Sequence, residues 1–178
     1  MGYDPAMIPI VSIVGKSGSG KTTLLEKLVA ELTRRGWRVA TLKHSHHAVE
    51  SDREGKDSWR HGRAGAVTTV LASPATVTVF EKVPRDYTLA EAAARYIRDA
   101  DLILAEGYKG NPHPKIEVCR SERRSERLCG PGEDVIALAG DRPLPEGAGA
   151  PFFDWNDTGR LADLIEARFL STATEGAS

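Results

Sequence analysis

Apolar and polar positions along this chain switch repeatedly between two periods. Residues 8–14 are apolar and β-branched without alternation, the pattern of a strand buried on both faces. From Thr22 the leucines Leu24, Leu25, Leu28 and Leu32 recur at helical spacing, and the run closes on Arg34, Arg35 and Gly36, cations and a glycine that end a helix. Residues 37–43 read as a second strand, and residues 57–64 as a short helix with Asp57 or Ser58 near its start. Strands are predicted over 66–72 and 76–83, with Ser73-Pro74 as the turn and the second strand at an edge. Residues 88–98 predict a helix capped by Thr88. Strands follow over 101–107, 115–120 and 134–139, and residues 142–151 are rich in Pro and Gly. Residues 157–170 predict an amphipathic helix with Leu161, Leu164, Ile165 and Phe169 on one face.

Between the first strand and the first helix, residues 15–22 read Gly-Lys-Ser-Gly-Ser-Gly-Lys-Thr, the G-x-x-x-x-G-K-[ST] pattern of a phosphate-binding P-loop. Strand, glycine loop and helix form the setting that pattern needs. Gly15, Gly18 and Gly20 let the backbone approach a phosphate closely. The N–H groups of the loop, including those of Lys16, Ser17 and Ser19, then converge on it as an anion nest, and the helix N-terminus adds its dipole. Lys21 is expected to reach the β- and γ-phosphate oxygens, and the Thr22 hydroxyl to ligate Mg²⁺. Thr23 is either an α-phosphate contact or a first-turn helix residue.

Strands alternating with helices around this loop predict an α/β fold, P-loop NTPase-like, with a mostly parallel twisted sheet, helices on both faces and some antiparallel edge strands. Residues 1–170 are expected to form one nucleotide-binding domain and residues 171–178 a flexible tail. Ligand should sit outside the carboxyl ends of the strands, where the loop, Lys43, His44, Glu106 and Asp141 all fall.

Composition narrows the partners. A chain of 178 residues buries a core without staples, and a net charge of -1 argues against a general nucleic-acid binder. Cys119 and Cys129 show no pairing pattern and read as reduced thiols. Residues 1–7 do not resemble a signal peptide, and no stretch approaches the roughly 18 apolar residues of a membrane span, so a cytoplasmic protein is expected.

A P-loop protein needs a second acid to complete the Mg²⁺ shell or orient water. Glu106 stands at the phosphate end of the 101–107 strand and Asp101 at its far end, so Glu106 is the expected Walker-B acid, acting through water. Asp52 and Asp57 are rival metal-shell residues. His44, His46 and His47 could bind zinc but lack a fourth ligand nearby; the alternative places His44 over the nucleotide end of the sheet. Asp141 either accepts hydrogen bonds from a guanine edge or is a turn aspartate before Arg142-Pro143. The Arg/Glu-rich stretch 120–127 is either a solvated surface or a lid whose arginines clamp a phosphoryl group.

The chain resembles the MobB family, the molybdopterin-guanine dinucleotide biosynthesis protein B. Beyond the P-loop, the resemblance is carried by Thr41-Leu42-Lys43-His44, Gly55-Lys56-Asp57-Ser58-Trp59-Arg60, Ala64-Gly65-Ala66, Asp101-Leu102-Ile103-Leu104-Ala105-Glu106-Gly107-Tyr108-Lys109 and Pro114-Lys115-Ile116-Glu117-Val118. It covers most of residues 8–141. It implies a GTP-binding accessory protein of molybdenum-cofactor maturation, a weak Mg²⁺-dependent GTPase and homodimer. Such a protein works with the nucleotidyltransferase that joins GMP to molybdopterin. On this resemblance residues 15–23 bind nucleotide, Glu106 and Asp57 belong to the Mg²⁺ or water shell, and Lys109 and Lys115 hold the pterin or a second phosphate. Slow turnover fits a loop with no Gln or Arg finger fixed beside it, although Arg60 or Arg63 could serve across a dimer. Two other functions are compatible with the residues: an ATP-dependent small-molecule kinase with 120–127 as lid, and a nucleotide-binding adaptor that does not hydrolyse.

Overall fold

The computed structural model describes residues 8–45, 53–108, 110–120, 128–130, 132–142 and 149–170. Two compact units form, one from Met1–His44 with Thr88–Ser178 and the other from Ser45–Tyr87. The predicted tail, 171–178, lies outside the described residues.

The first unit is built on strands β1 (Ile10–Val14), β2 (Val39–Lys43), β5 (Leu102–Glu106), β6 (Lys115–Cys119), β7 (Val135–Gly140) and β8 (Phe152–Asp154). They form one six-stranded sheet in the order β2-β5-β1-β6-β7-β8, parallel throughout. Although β1 and β2 are consecutive, β5 lies between them, so the glycine loop leaves a strand flanked on both sides. Such a strand is apolar at every position because both its faces are covered, and β1 is buried along its whole length.

The two faces carry different helices. Helices α1 (Lys21–Arg34) and α4 (Thr158–Ile165) place Leu24, Leu28, Leu32, Leu161, Ala162 and Ile165 against Val11, Ile13, Leu102 and Leu104. Helix α3 (Leu89–Tyr96) places Leu89 and Ala93 against Ile10, Ile103 and Ala105. The alternation along β5 therefore assigns Leu102, Leu104 and, by the same parity, Glu106 to the α1 face. Thr88 caps α3 as predicted, in a capping box with Glu91, an arrangement worth about 1 kcal/mol. The helix stops at Tyr96, short of the predicted end, because Ile97 turns to an extended backbone and packs with the α3-side core. Helix α4 continues as a π turn, Glu166–Leu170. Arg35 fastens α1 to it, donating to Glu31 (2.8 Å), Asp163 (2.7 Å) and Glu166 (2.5 Å), while Trp37 Nε1 donates to Glu166 (2.7 Å).

The second unit holds α2 (Asp57–Arg63) and an antiparallel ribbon, β3 (Thr68–Ala72) with β4 (Val77–Glu81). The antiparallel strands predicted at an edge thus pair with each other in a sheet of their own. Ser73 closes the turn, its N–H donating to Thr76 O at 2.8 Å. The three-residue strand β8 had no periodic signature, being too short to alternate and preceded by Pro and Gly.

Candidate functional site

The loop from Gly15 to Gly20 joins the carboxyl end of β1 to the N-terminus of α1. No side chain caps this helix; Gly20 takes that position with φ 98°. The first-turn N–H groups of α1 are therefore left to face whatever enters the loop. At Gly15 a Cβ would stand 2.7 Å from both Ser19 Oγ and Val118 O, so only glycine lets the loop close against the end of β6. Ser19 is buried within the loop, and its hydroxyl makes no hydrogen bond to the described residues. A buried, unsatisfied hydroxyl and a ring of backbone N–H groups fit an anion with several acceptor oxygens.

On the β5 side of the loop, Thr22 and Glu106 meet. The Thr22 hydroxyl lies 3.0 Å from each carboxylate oxygen of Glu106. The parity of β5 explains why: Glu106 ends the strand on the α1 face, opposite the first turn of that helix. Glu106 is 8% exposed, and Lys43, its register partner on β2, brings an ammonium to 3.6 Å. Beyond the strand, His44 N–H donates to Glu106 O at 2.9 Å, and the His44 ring lies 4.8 Å from that of Tyr108. Gly107 permits this closure: its φ is 95° and a Cβ there would stand 2.6 Å from His44 O. A hydroxyl beside a carboxylate at the mouth of an anion nest is a hard-oxygen donor set of the kind Mg²⁺ takes. Lys21 Nζ donates to Lys16 O at 2.8 Å, so this ammonium also sits at the loop.

Asp101, at the opposite end of β5, accepts from the Arg38 backbone N–H and guanidinium (both 2.8 Å), and these bonds hold its carboxyl below the usual range. It fastens the far edge of the sheet, as its place in the strand predicted. Asp141 is half-buried at the bend after β7, also at the carboxyl end of the sheet. Asp57 opens α2 in the other unit, where its side chain is 89% exposed and 3.8 Å from Arg60. Asp57, Trp59, Arg60, His61, Arg63 and Ala64 line a cleft of about 550 Å³, and the Arg63 guanidinium lies 5.6 Å from the Trp59 ring centre. His46, His47, Asp52, Lys109 and residues 121–127 lie outside the described residues. Among the described residues no group of three or more His, Cys, Asp or Glu is placed to hold a metal ion.

Lys115 departs from its predicted ligand role. It is 2% exposed, and its ammonium donates to Asn111 O (2.6 Å) and His113 O (3.3 Å) and pairs with Glu133 (3.3 Å). On the adjacent position of the same face, Glu117 accepts from the N–H groups of Leu128 and Cys129. The pair anchors two connecting segments beneath the sheet. Burial, with the Lys115 charge second, lowers the His113 pKa. Neither Asn111 nor Glu133 carried a sequence signal, since both act through backbone and buried partners rather than a motif.

A parallel sheet with a glycine phosphate loop leaving its inner strand, and an acid from the neighbouring strand on the loop's threonine, defines a P-loop NTPase-like protein. Residues 10–141 match the family described as "Molybdopterin guanine dinucleotide synthesis protein B". The chain belongs to this MobB family. It is 42% identical over 160 residues to the molybdopterin-guanine dinucleotide biosynthesis adapter protein of Haemophilus influenzae, covering 89% of this chain and 88% of that one. It is 38% identical over 164 residues to the adapter protein of the same description from Escherichia coli, covering 89% and 92%. The crystal structure of Bacillus subtilis MobB superposes with a TM-score of 0.70 at 27% identity, over 90% of this chain and 98% of that one. Cys119 and Cys129 are not joined in a disulfide, and among the described residues no helix is long and apolar enough to cross a membrane.

Proposed function

We propose that this chain is a guanine-nucleotide-binding adapter of molybdenum-cofactor maturation that assists the attachment of GMP to molybdopterin. The observation that carries the reading is the meeting of Thr22 and Glu106 at the mouth of the phosphate loop in a member of the MobB family. Residues 15–23 cradle the phosphates of GTP, with Lys21 on the β- and γ-oxygens. Thr22 and Glu106 hold Mg²⁺ or its water shell, and Asp141 takes the guanine edge. When bound, the metal neutralises charge that builds on the phosphoryl oxygens. The chain's own contribution is to fix the phosphates and to orient Glu106 through the Thr22 hydroxyl and the Lys43 ammonium.

Hydrolysis is slow on this reading. The chain contains no glutamine to fill the water-orienting role that glutamine has in faster GTPases. Its partners are the molybdenum-cofactor nucleotidyltransferase, molybdopterin and a second copy of itself. The ribbon supports the homodimer, since Val70 (58%), Val77 (65%) and Val79 (45%) are exposed on one of its faces. Two buried thiols outside any disulfide suit a reducing cytoplasm.

The test is titration of GTP and ATP in the presence of Mg²⁺ against the wild type and Asp141→Ala. GTP is preferred by the wild type, and the preference shrinks in the variant. Equal affinity for both nucleotides in the wild type overturns the guanine assignment. Phosphoryl transfer from ATP to a small molecule without any partner protein replaces the adapter reading with a kinase.

A further inference from the structure

The phosphate loop has two flanks, and the Thr22–Glu106–Lys43 cluster occupies only the one next to β5 and β2. On the other flank, next to β6, β7 and β8, stand an arginine and a tryptophan that no motif accounts for. Arg120 directly follows β6, the strand whose Val118 carbonyl abuts Gly15. Trp155 directly follows β8, and its ring approaches to 3.4 Å of where a Cβ on Gly20 would stand. The Arg120 guanidinium carbon lies over that ring, 5.7 Å from its centre.

The segment that presents Trp155 is tied to two other elements and braced by a bond of its own. Its N–H donates to Gly140 O at the end of β7 (3.1 Å). Asn156 N–H donates to Asp154 Oδ1 (2.8 Å), and Lys27 of α1 donates to Asn156 Oδ1 (2.7 Å). The indole is thus fixed to the same helix whose N-terminus forms the anion nest. Asp141 follows β7, so it belongs to the same flank of the sheet.

We infer that Arg120 and Trp155 form the wall on which the purine base of the bound nucleotide stacks. A phosphate chain held by the loop, with its terminal group and metal at Thr22 and Glu106, leaves its nucleoside to the opposite flank. There a planar cation layered on an indole offers the flat, polarisable surface that a base prefers. Stacking reads the face of the base and tolerates any purine. The edge is read separately, by Asp141. This inference rests on the nucleotide-binding reading above and adds two residues to it.

The experiment titrates GTP, ATP and inorganic tripolyphosphate, each with Mg²⁺, against wild type, Trp155→Ala, Trp155→Phe, Arg120→Ala and Arg120→Lys. Trp155→Ala and Arg120→Ala are expected to weaken GTP and ATP by the same factor, about tenfold, leaving tripolyphosphate unchanged. Trp155→Phe keeps a ring and most of the affinity, and Arg120→Lys does not, because an ammonium has no flat face. Unchanged GTP affinity in both alanine variants overturns the inference. So does a loss for tripolyphosphate equal to that for GTP, which would make the pair a prop for the loop or a phosphate contact. Should the wild type bind tripolyphosphate but neither nucleotide, the nucleotide reading itself falls and takes this one with it.

Discussion

The Thr22 hydroxyl sits 3.0 Å from both carboxylate oxygens of Glu106, although 84 residues separate them in sequence. The contact joins the first turn of α1 to the end of β5, and the Lys43 ammonium lies 3.6 Å from the same carboxylate. Glu106→Gln preserves the shape and removes the charge. It is expected to weaken GTP binding in Mg²⁺ about tenfold, with little change when the metal is chelated. Thr22→Ala should behave alike. Calorimetric titration with Mg²⁺ and with EDTA measures both, and equal losses under the two conditions would reduce Glu106 to a support for the loop.

The ribbon of the second unit is where the proposed homodimer can be tested. Val70 and Val79 face each other across β3 and β4 and are 58% and 45% exposed. On the homodimer reading this paired apolar face packs against a second copy. Val70→Asp places an unpaired charge in that contact and is expected to raise the dimer dissociation constant at least about tenfold. Sedimentation velocity across a concentration series reads the change. A wild type that stays monomeric at high concentration removes the homodimer from the proposal.

Much of this was legible in the sequence because it is local. The loop lies between an unalternating apolar strand and a leucine-spaced helix, and that order alone places Lys21 and Thr22. Glu106 was separable from Asp101 because a parallel strand has one end at the ligand and one away from it, and Asp101 indeed binds Arg38 at the far edge. What the sequence hid depends on neighbours distant in the chain. That β5 inserts between β1 and β2 follows from packing, not from any residue in the first strand–helix–strand run. Lys115 stood as a pterin or phosphate ligand on the resemblance alone, whereas here two carbonyls and Glu133 satisfy its ammonium in the interior, an unusual place for a lysine. Trp155 follows a strand too short to announce itself.

Lys115→Met tests that interior role. Methionine keeps the length and apolar stem but leaves the Asn111 and His113 carbonyls without their donor and Glu133 without its cation. The expected cost is about 2–4 kcal/mol of folding stability, since Glu133 is 36% exposed and water recovers part of its loss. Urea unfolding should show a lower midpoint with an unchanged slope. Stability equal to wild type would mean that the ammonium is free to bind ligand after all.

Cys129 makes the stability of this region depend on pH. Burial, together with the nearby Glu117 and Glu133 carboxylates, pushes its thiol up from 9.0 to about 12. The unfolded chain releases this proton near the ordinary value, while the folded chain keeps it until about 12, so between them the native state holds the extra proton. This contribution is therefore complete below pH 9.0 and is lost progressively as pH rises towards 12. In Cys129→Ala the titrating group is gone. Urea midpoints measured from about pH 8 to 11 should fall more steeply for the wild type than for the variant. At the lower pH values the wild-type Cys129 thiol should also react slowly with an aromatic disulfide, because little thiolate is present. Parallel slopes for the two proteins would mean that the thiol ionises alike in the folded and unfolded chains and that the Glu117 and Glu133 carboxylates exert no hold.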